Sequence, residues 1–228
     1  MKTSILLATT KRLPLLTLLT GLLAAVSAGP AMANRPTPVT CGSVITAPGE
    51  YFLASDCSGA PINILASHVH LKLNGHTITG GGTDAGITLF NVSHVHVEGP
   101  GTVKSYEFGV GSFTASDSHV ERVTCINNDV GLEFFSGSTN NHVNNNVFSM
   151  NGSAGLAGDS NTSDNRVDNN QVNNNSLGIH LVASATDYHV NGNTALGNGV
   201  DLEDDNANCD DNKWDGNRFV TANQSCIH

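Results

Sequence analysis

Aromatic and basic side chains are scarce in this sequence, and each shortage excludes a class of protein. Phe, Tyr and Trp make up 5% of the 228 residues, so a conventional globular core built on large rings is not expected. Only ten Lys and Arg stand against 20 Asp and Glu. Such an acidic balance excludes nucleic-acid binding, which requires basic patches. It also disfavours tight binding of strongly anionic polymers unless a cation bridges the two.

Long apolar runs are also missing, apart from one at the start. Two lysines and an arginine precede an apolar stretch over residues 13–28, and an Ala-x-Ala sequence follows at 31–33. This pattern predicts a cleavable signal peptide over residues 1–33, and therefore a secreted or periplasmic protein. Pro14 interrupts the stretch, which is too short for a comfortable membrane span. A retained signal anchor is the alternative. Cleavage would remove three basic residues and no acidic one, and would leave a mature chain over residues 34–228.

All five cysteines lie beyond the predicted cleavage site, as expected for an oxidising compartment. Cys41 and Cys57 flank the first segment of the mature chain, and Cys209 and Cys226 flank the last. Although sequence does not determine connectivity, this placement suggests one disulfide at each end. Each would close a loop of roughly 15 residues and stabilise the fold by about 3 kcal/mol. We expect the remaining Cys125 to be a buried free thiol, with a reactive or intermolecular thiol as the alternative.

A repeat fills the space between the two cysteine pairs. A glycine followed by an aliphatic residue recurs at spacings of 21 to 24 residues, at Gly86, Gly109, Gly131, Gly155, Gly178 and Gly199. A second marker gives seven units, at Val69, Val95, Val120, Val143, Val167, Val190 and Trp214. The units contain short alternating runs typical of strands, and no run has the apolar stripe of a helix. One short strand pair cannot bury its own apolar face, so the units must stack.

Stacking of equivalent strands predicts an all-β parallel solenoid of about seven coils, with neighbouring strands about 4.8 Å apart. A leucine-rich repeat would have more leucines, and a propeller blade would be about twice as long. The predicted divisions are an N-terminal cap over 34–61, repeats over 62–200, and the last coil with a C-terminal cap over 201–228. The expected inward column is Ile87, Val110, Leu132, Leu156, Ile179 and Val200.

Asparagines recur at two fixed offsets from the second marker, and this pattern predicts ladders of side-chain amides between coils. The first set follows the marker by three residues and the second by eight. The two sets are Asn146, Asn170, Asn193 and Asn217, and Asn128, Asn151, Asn175 and Asn198.

The two end segments, residues 41–80 and 204–227, carry a resemblance to a known group. "CGSVITAPGEYFLASDCSGAPINILASHVHLKLNGHTITG" and "DDNANCDDNKWDGNRFVTANQSCI" resemble the opening and closing segments of secreted bacterial proteins with right-handed parallel β-helix repeats. These belong to the pectin-lyase-like superfamily, which includes pectate and alginate lyases, C5-epimerases and a NosD-like periplasmic family associated with copper-enzyme maturation. The resemblance implies a right-handed β-helix, but one fold supports many functions.

Three functions fit this resemblance. The first is a non-catalytic carbohydrate-binding or surface-structural β-helix, whose partner is a polysaccharide or cell-surface glycan. The second is a polysaccharide lyase, epimerase or hydrolase. The third is a periplasmic protein that handles copper or zinc. We expect a monomer in each case.

Catalysis is the weaker expectation because the features of the lyases and epimerases are missing. The basic residues are scattered among the coils, and the Asp-Pro-His-Asp sequence of the alginate epimerases does not occur. The residue after each inward aliphatic should point outward. That rule places Glu133, His180 and Asp201 on one face as a candidate acid/base set. A solvated polar surface explains the same residues.

The same face carries a candidate substrate platform. Phe90, Phe113 and Phe135 take one position in three successive coils, where stacked rings could support sugar rings. Packing of the rings against a turn or a neighbouring loop is the alternative.

Ten histidines form columns that suggest a metal site. His68, His94 and His119 precede the second marker, as do His142 and His189, and we expect them in one outward column. His70 and His96 should form a second column beside the first, and Glu121 should follow His96 in that second column. Imidazoles from neighbouring coils with Glu121 could bind Cu²⁺ or Zn²⁺. Histidines that merely fill polar outward positions are the alternative.

A calcium site is a further possibility near the C-terminus, where seven carboxylates cluster in the sequence. They lack EF-hand spacing, and an acidic cap that blocks end-to-end aggregation explains them equally well. They are Asp201, Glu203, Asp204, Asp205, Asp210, Asp211 and Asp215. The fold itself requires no cofactor.

Overall fold

The structure, a computed structural model, describes residues 35–135 and 137–228. The predicted signal peptide lies outside these residues. Apart from one 3₁₀ turn over Ala207–Cys209, the elements are all strands, and every strand pairing is parallel. The chain is a parallel β-solenoid of about seven turns, which confirms the predicted fold class. Among the described residues no helix has the length and apolar character needed to cross a membrane.

One sheet has eight strands, which pair in chain order. In chain order its strands are β2 (Val44–Ile45), β5 (Ile62–Ile64), β8 (Ala85–Phe90), β10 (Phe108–Phe113), β12 (Val130–Phe135), β15 (Ala154–Gly158), β18 (Leu177–Leu181) and β21 (Val200–Asp204).

A second sheet has fourteen strands in two connected rows. The main row is β1 (Thr37–Val39), β3 (Gly49–Leu53), β6 (Val69–Lys72), β9 (His96–Lys104), β11 (His119–Ile126), β13 (His142–Asn144), β16 (Arg166–Asp168), β19 (His189–Asn191) and β22 (Lys213–Asp215). The side row is β4 (Cys57–Ser58), β7 (Thr77–Thr79), β14 (Val147–Ser149), β17 (Gln171–Asn173) and β20 (Thr194–Leu196). Strands β9 and β11 are long enough to contribute to both rows.

The core is a stack of aliphatic side chains inside the coils. Strand pairing places in one buried column Ile87, Val110, Leu132, Leu156, Ile179 and Leu202. The predicted column is therefore right except at its last member, because Val200 pairs with Leu177 and Leu202 takes the inward place.

Crowding between coils explains both the repeated glycine and this error. A Cβ on Gly131 would lie 2.3 Å from the carbonyl oxygen of Gly155 in the next coil, and one on Gly178 would lie 2.1 Å from that of Asp201. Glycine is therefore needed at these positions, where the carbonyl of the next coil approaches closely. Among the described residues, a single bridge between Leu202 and Ala222 lies above the last strand of this sheet. Asp201 consequently replaces the glycine, and Gly199 is a false marker.

Both predicted asparagine ladders are present. In the first, the backbone N–H of each residue donates to Oδ1 of its equivalent in the next coil at 2.8–2.9 Å, along Asn146, Asn170, Asn193 and Asn217. The second ladder runs at 2.8–3.1 Å along Asn128, Asn151, Asn175 and Asn198, and ends on Asp201. Each bond between two asparagines joins neighbouring coils, so the ladders help to set the register of the coils they cross.

The two predicted disulfides are confirmed. Cys41 pairs with Cys57, and Cys209 pairs with Cys226, so each end of the solenoid is closed by a covalent loop. Cys125 is free and fully buried, as expected. Burial raises the pKa of its thiol far above the usual range, which keeps the sulfur protonated and unreactive.

The ladder predicts a large stability difference between two neighbouring residues of one coil. Asn170 is buried, and its Oδ1 accepts bonds from both the backbone and the side chain of Asn146. Asn170→Ala should lower the free energy of unfolding by about 2–4 kcal/mol, because buried donors at about 1–3 kcal/mol each lose their partner. The control Gln171→Ala, at an exposed side chain, should change it by less than about 0.5 kcal/mol. Urea unfolding measures both, and equal losses would contradict the ladder's role.

Candidate functional site

Four imidazoles form a continuous stack on the outer surface of the main row. Parallel pairing brings His70, His96, His119 and His142 into one register position of four successive strands. Their ring centroids are 4.5, 5.0 and 4.8 Å apart, with interplanar angles of 5° to 15°. The spacing is that of neighbouring strands, so the backbone itself sets the distance between rings. We call these four residues the histidine column.

The expected sharing of one outward face by His70 and His96 is confirmed, but His119, His142 and His189 were assigned to the wrong column. They continue the register of His70 and His96 rather than that of His68 and His94. Strand β11 pairs Val120 with Val97 and not with Val95, so His119 stacks on His96 rather than on His94.

His68 and His94 form a separate pair outside the histidine column. Both have positive φ, at 58° and 56°, just before their strands begin. Their rings stack at 4.8 Å with an interplanar angle of 26°. Their turn positions remove them from the group that we expected to share one metal site.

A second column of mostly acidic residues runs beside the histidine column, two positions further along each strand. Its members are Glu98, Glu121, Asn144 and Asp168. We call it the acid column. Each imidazole contacts the acid-column member of the next coil through Nε2. The contacts are 2.6 Å for His70 with Glu98, 3.1 Å for His96 with Glu121, and 2.8 Å for His142 with Asp168, while His119 contacts Asn144.

The first two rungs form a group with the chemistry of a metal site. One ligand atom from each of His70, His96 and Glu98 lies within 4.8 Å of the others. Two imidazole nitrogens and a carboxylate oxygen fit a borderline cation such as Cu²⁺ or Zn²⁺. Glu121, the expected third ligand, instead contacts His96 from the next coil. Glu98 was missed, although it follows His96 by two residues and strand alternation places it on the same face.

Fixed charges surround this group. Glu50 contacts Nδ1 of His70 at 3.0 Å. The Arg122 guanidinium contacts Glu98 and reaches Glu121 at 3.1 Å. The arginine therefore balances part of the acid column's negative charge.

The pKa values of two of the stacked rings are lowered, which favours their neutral form. Burial, together with the neighbouring His70 and His119, lowers the pKa of His96 below its usual value. Burial and His119 do the same to the pKa of His142. Burial opposes ionisation of Glu98, but the hydrogen bond from His70 and the charge of Arg122 outweigh it and lower its pKa. A neutral His96 beside an ionised Glu98 has the protonation states that metal ligation requires.

The predicted aromatic platform exists as a column, but its rings are not equivalent. Phe90, Phe113 and Phe135 share one register position on the eight-stranded sheet. Phe113 and Phe135 stack at 4.1 Å, and Phe108 packs edge-on against Phe135 at 5.1 Å. Phe90 remains 55% exposed. It borders a groove of about 360 Å³ whose other walls include Pro61, Asn63, Thr88, Phe108 and Phe113.

The candidate acid/base set is not assembled. Glu133 and His180 share an outward column, with Ala157 between them, as expected. Burial and the nearby Asp159 raise the pKa of Glu133 to about 7. Asp201 was placed wrongly: it is 1% exposed, and its carboxylate accepts hydrogen bonds from Asn198, Val220 and Thr221.

The seven carboxylates near the C-terminus do not form one cluster either. Asp204 is fully buried, and its carboxylate accepts hydrogen bonds from Asn206, Asn212 and Trp214. Within the described residues, the one group of possible metal-ligand atoms that includes any of the seven joins Glu203 and Asp205 with His180.

Both the sequence and the fold are similar to those of known proteins. A family model described as "Periplasmic copper-binding protein (NosD)" matches residues 54–225. A search of curated proteins finds no match.

Two solved structures are similar. Full-length tailspike protein 2 from the Escherichia coli O157:H7 bacteriophage CAB120 matches with 11% identity and a TM-score of 0.43. The enzymatically active domain of tailspike protein 2 from bacteriophage CBA120 matches with 12% identity and a TM-score of 0.31. Each match covers 82% of this chain but only 38% of the tailspike chain.

The lowered histidine pKa values predict that acid destabilises the fold. His96 and His142 bind protons more weakly in the folded chain than the 6.5 of the free side chain. The unfolded state therefore binds more protons as pH falls below that value, and the free energy of unfolding should decrease. Urea unfolding at pH 7.5 and 5.5 measures the difference. The double change His96→Gln with His142→Gln should reduce it, whereas His189→Gln, outside the ring stack, should leave it. Equal effects of the two variants would contradict the assignment.

Proposed function

This chain belongs to the NosD family, and from that premise we propose that it binds a copper or zinc ion outside the cytoplasm through its histidine column. The proposal rests on one observation, the convergence of ligand atoms from His70, His96 and Glu98 within 4.8 Å. The disulfides and the periplasmic family support an extracytoplasmic location. We therefore favour metal binding over the other two sequence-based hypotheses.

The geometry indicates how these residues would hold the ion. Nitrogen atoms of His70 and His96 would donate to it, and a Glu98 oxygen would complete three protein ligands. The ion would replace the proton shared between Nε2 of His70 and Glu98, whose atoms are 2.6 Å apart. The paired strands β6 and β9 fix both imidazoles before binding, so little conformational entropy is lost.

Isothermal titration of the mature protein with Cu²⁺, and separately with Zn²⁺, tests the proposal at pH 7.5. We expect at least one site tighter than about 0.1 mM. The double change His70→Ala with His96→Ala should abolish it, and His189→Ala, several coils away, should not. The metal should also raise the thermal midpoint of the unaltered protein, because it binds only the native state. Binding that is absent in the unaltered protein, or weakened equally by His189→Ala, would refute the proposal.

We propose carbohydrate binding at the aromatic column as a second function, because Phe90 is an exposed ring beside a groove. The groove has polar groups from Asn63 and Thr88 for hydroxyls and an aromatic edge for a sugar ring. Its acidic surroundings, which include Asp84 and Glu107, favour a neutral glycan over an anionic one.

A glycan array probed with the mature protein tests this second function. We expect neutral glycans to be retained, and Phe90→Ala to weaken their binding roughly two- to tenfold, since a lost stacking contact costs about 0.5–1.5 kcal/mol. Met150→Ala is the matched control, because Met150 is 54% exposed at a different place on the solenoid. No bound glycan, or equal losses in both variants, would count against carbohydrate binding.

A further inference from the structure

Residues from two separate sequence hypotheses, the acid/base set and the calcium site, lie together on the outer surface of the eight-stranded sheet. His180 on β18 is in register with Glu203 on β21, so their side chains are neighbours on adjacent coils. Nε2 of His180 lies 3.0 Å from Oδ2 of Asp205. Ligand atoms of these three residues all lie within 4.8 Å of one another. We call them the His180 triad.

A buried anchor holds the two carboxylates of the triad on the surface. Asp204 lies between Glu203 and Asp205 and points inward, where its Oδ2 accepts bonds from Trp214 at 2.9 Å and Asn212 at 3.1 Å. Because side chains alternate along β21, the fixed inward Asp204 directs Glu203 outward. Asp205 follows directly after the end of the strand and is exposed. The triad is therefore positioned by the core.

The charge of the triad distinguishes it from the acid column, which lies beside the histidine column. There, Arg122 contacts Glu98 and Glu121, and Arg166 lies 3.6 Å from Asp168. Within the described part of the chain, Glu203 and Asp205 have no ion pair with a lysine or arginine. Two carboxylates without a fixed cation leave a negative charge that a divalent ion would balance.

We propose that the His180 triad is a second metal site, separate from the histidine column and selective for a harder divalent cation of the Mn²⁺ type. Two carboxylate oxygens favour harder ions, and the single imidazole favours Mn²⁺ over Ca²⁺, whose ligands are oxygens. Ligand atoms around such an ion lie about 3 Å apart. The His180–Asp205 pair already has that separation, and Glu203 reaches it with a small side-chain movement. The exposed side leaves coordination positions to water.

Titration of the full mature chain with Mn²⁺ at pH 7.5, followed by the electron paramagnetic resonance signal of free Mn²⁺, tests the proposal. We expect one site in the unaltered protein, weakened at least tenfold by Glu203→Gln with Asp205→Asn. A nitrogen coupling to the bound ion should be detected by pulsed resonance and should disappear in His180→Ala. Far-UV circular dichroism and the thermal midpoint verify that each variant is folded.

Two controls make the outcome decisive. Asp210→Asn with Asp211→Asn removes the same charge from exposed carboxylates at the same end of the chain, and Mn²⁺ binding should persist. His70→Ala with His96→Ala should also retain it, so failure of the histidine-column proposal would not affect this result. The triad proposal is overturned if the unaltered chain binds no Mn²⁺ or if the Asp210/Asp211 variant loses binding equally. It is also overturned if no nitrogen coupling is seen.

Discussion

Every feature of this protein depends on the hydrogen bonds that hold one coil in register on the next. Backbone pairing and the two asparagine ladders act between equivalent positions, so each side chain lies above its counterpart. A residue type repeated in sequence then becomes a column in space. The imidazole spacing of 4.5–5.0 Å in the histidine column is the strand spacing, and no separate packing of the rings is needed to create it.

The fold was predictable because its period is carried by residues that the stack requires. Glycine is required where the next coil's carbonyl approaches, and asparagine where an amide must bond in both directions, so both appear in the sequence as regular markers. The candidate sites were less predictable because coils differ in length within their turns. Because Val120 pairs with Val97 rather than with Val95, His119 lies one column away from its expected place. In the last coil Asp201 occupies the glycine position, so it is buried instead of pointing outward. The repeat pattern in the sequence reveals neither the length of each turn nor which coil is the last.

The two candidate metal groups differ because the same scaffold presents different columns on different faces. On the main row, imidazoles stack over four coils and the acid column is partly neutralised by arginine. On the eight-stranded sheet, outward positions change along the axis from aromatic to acidic, so the groove and the His180 triad occupy different coils. A strongly acidic chain thus has separate surfaces of distinct chemistry, which a single globular core of the same size would not readily provide.

The glycine at the coil contact has an evolutionary consequence. This glycine sets the approach of one coil to the next and recurs in five successive turns. A duplicated stretch of one such turn would therefore bring its own spacer and its own amide rungs. Gene segments of that length can therefore be gained or lost in whole units while the remaining turns keep their register. Each added unit would also extend every surface column by one residue. The number of imidazoles in the row would then change with the number of coils, without any change in the interior.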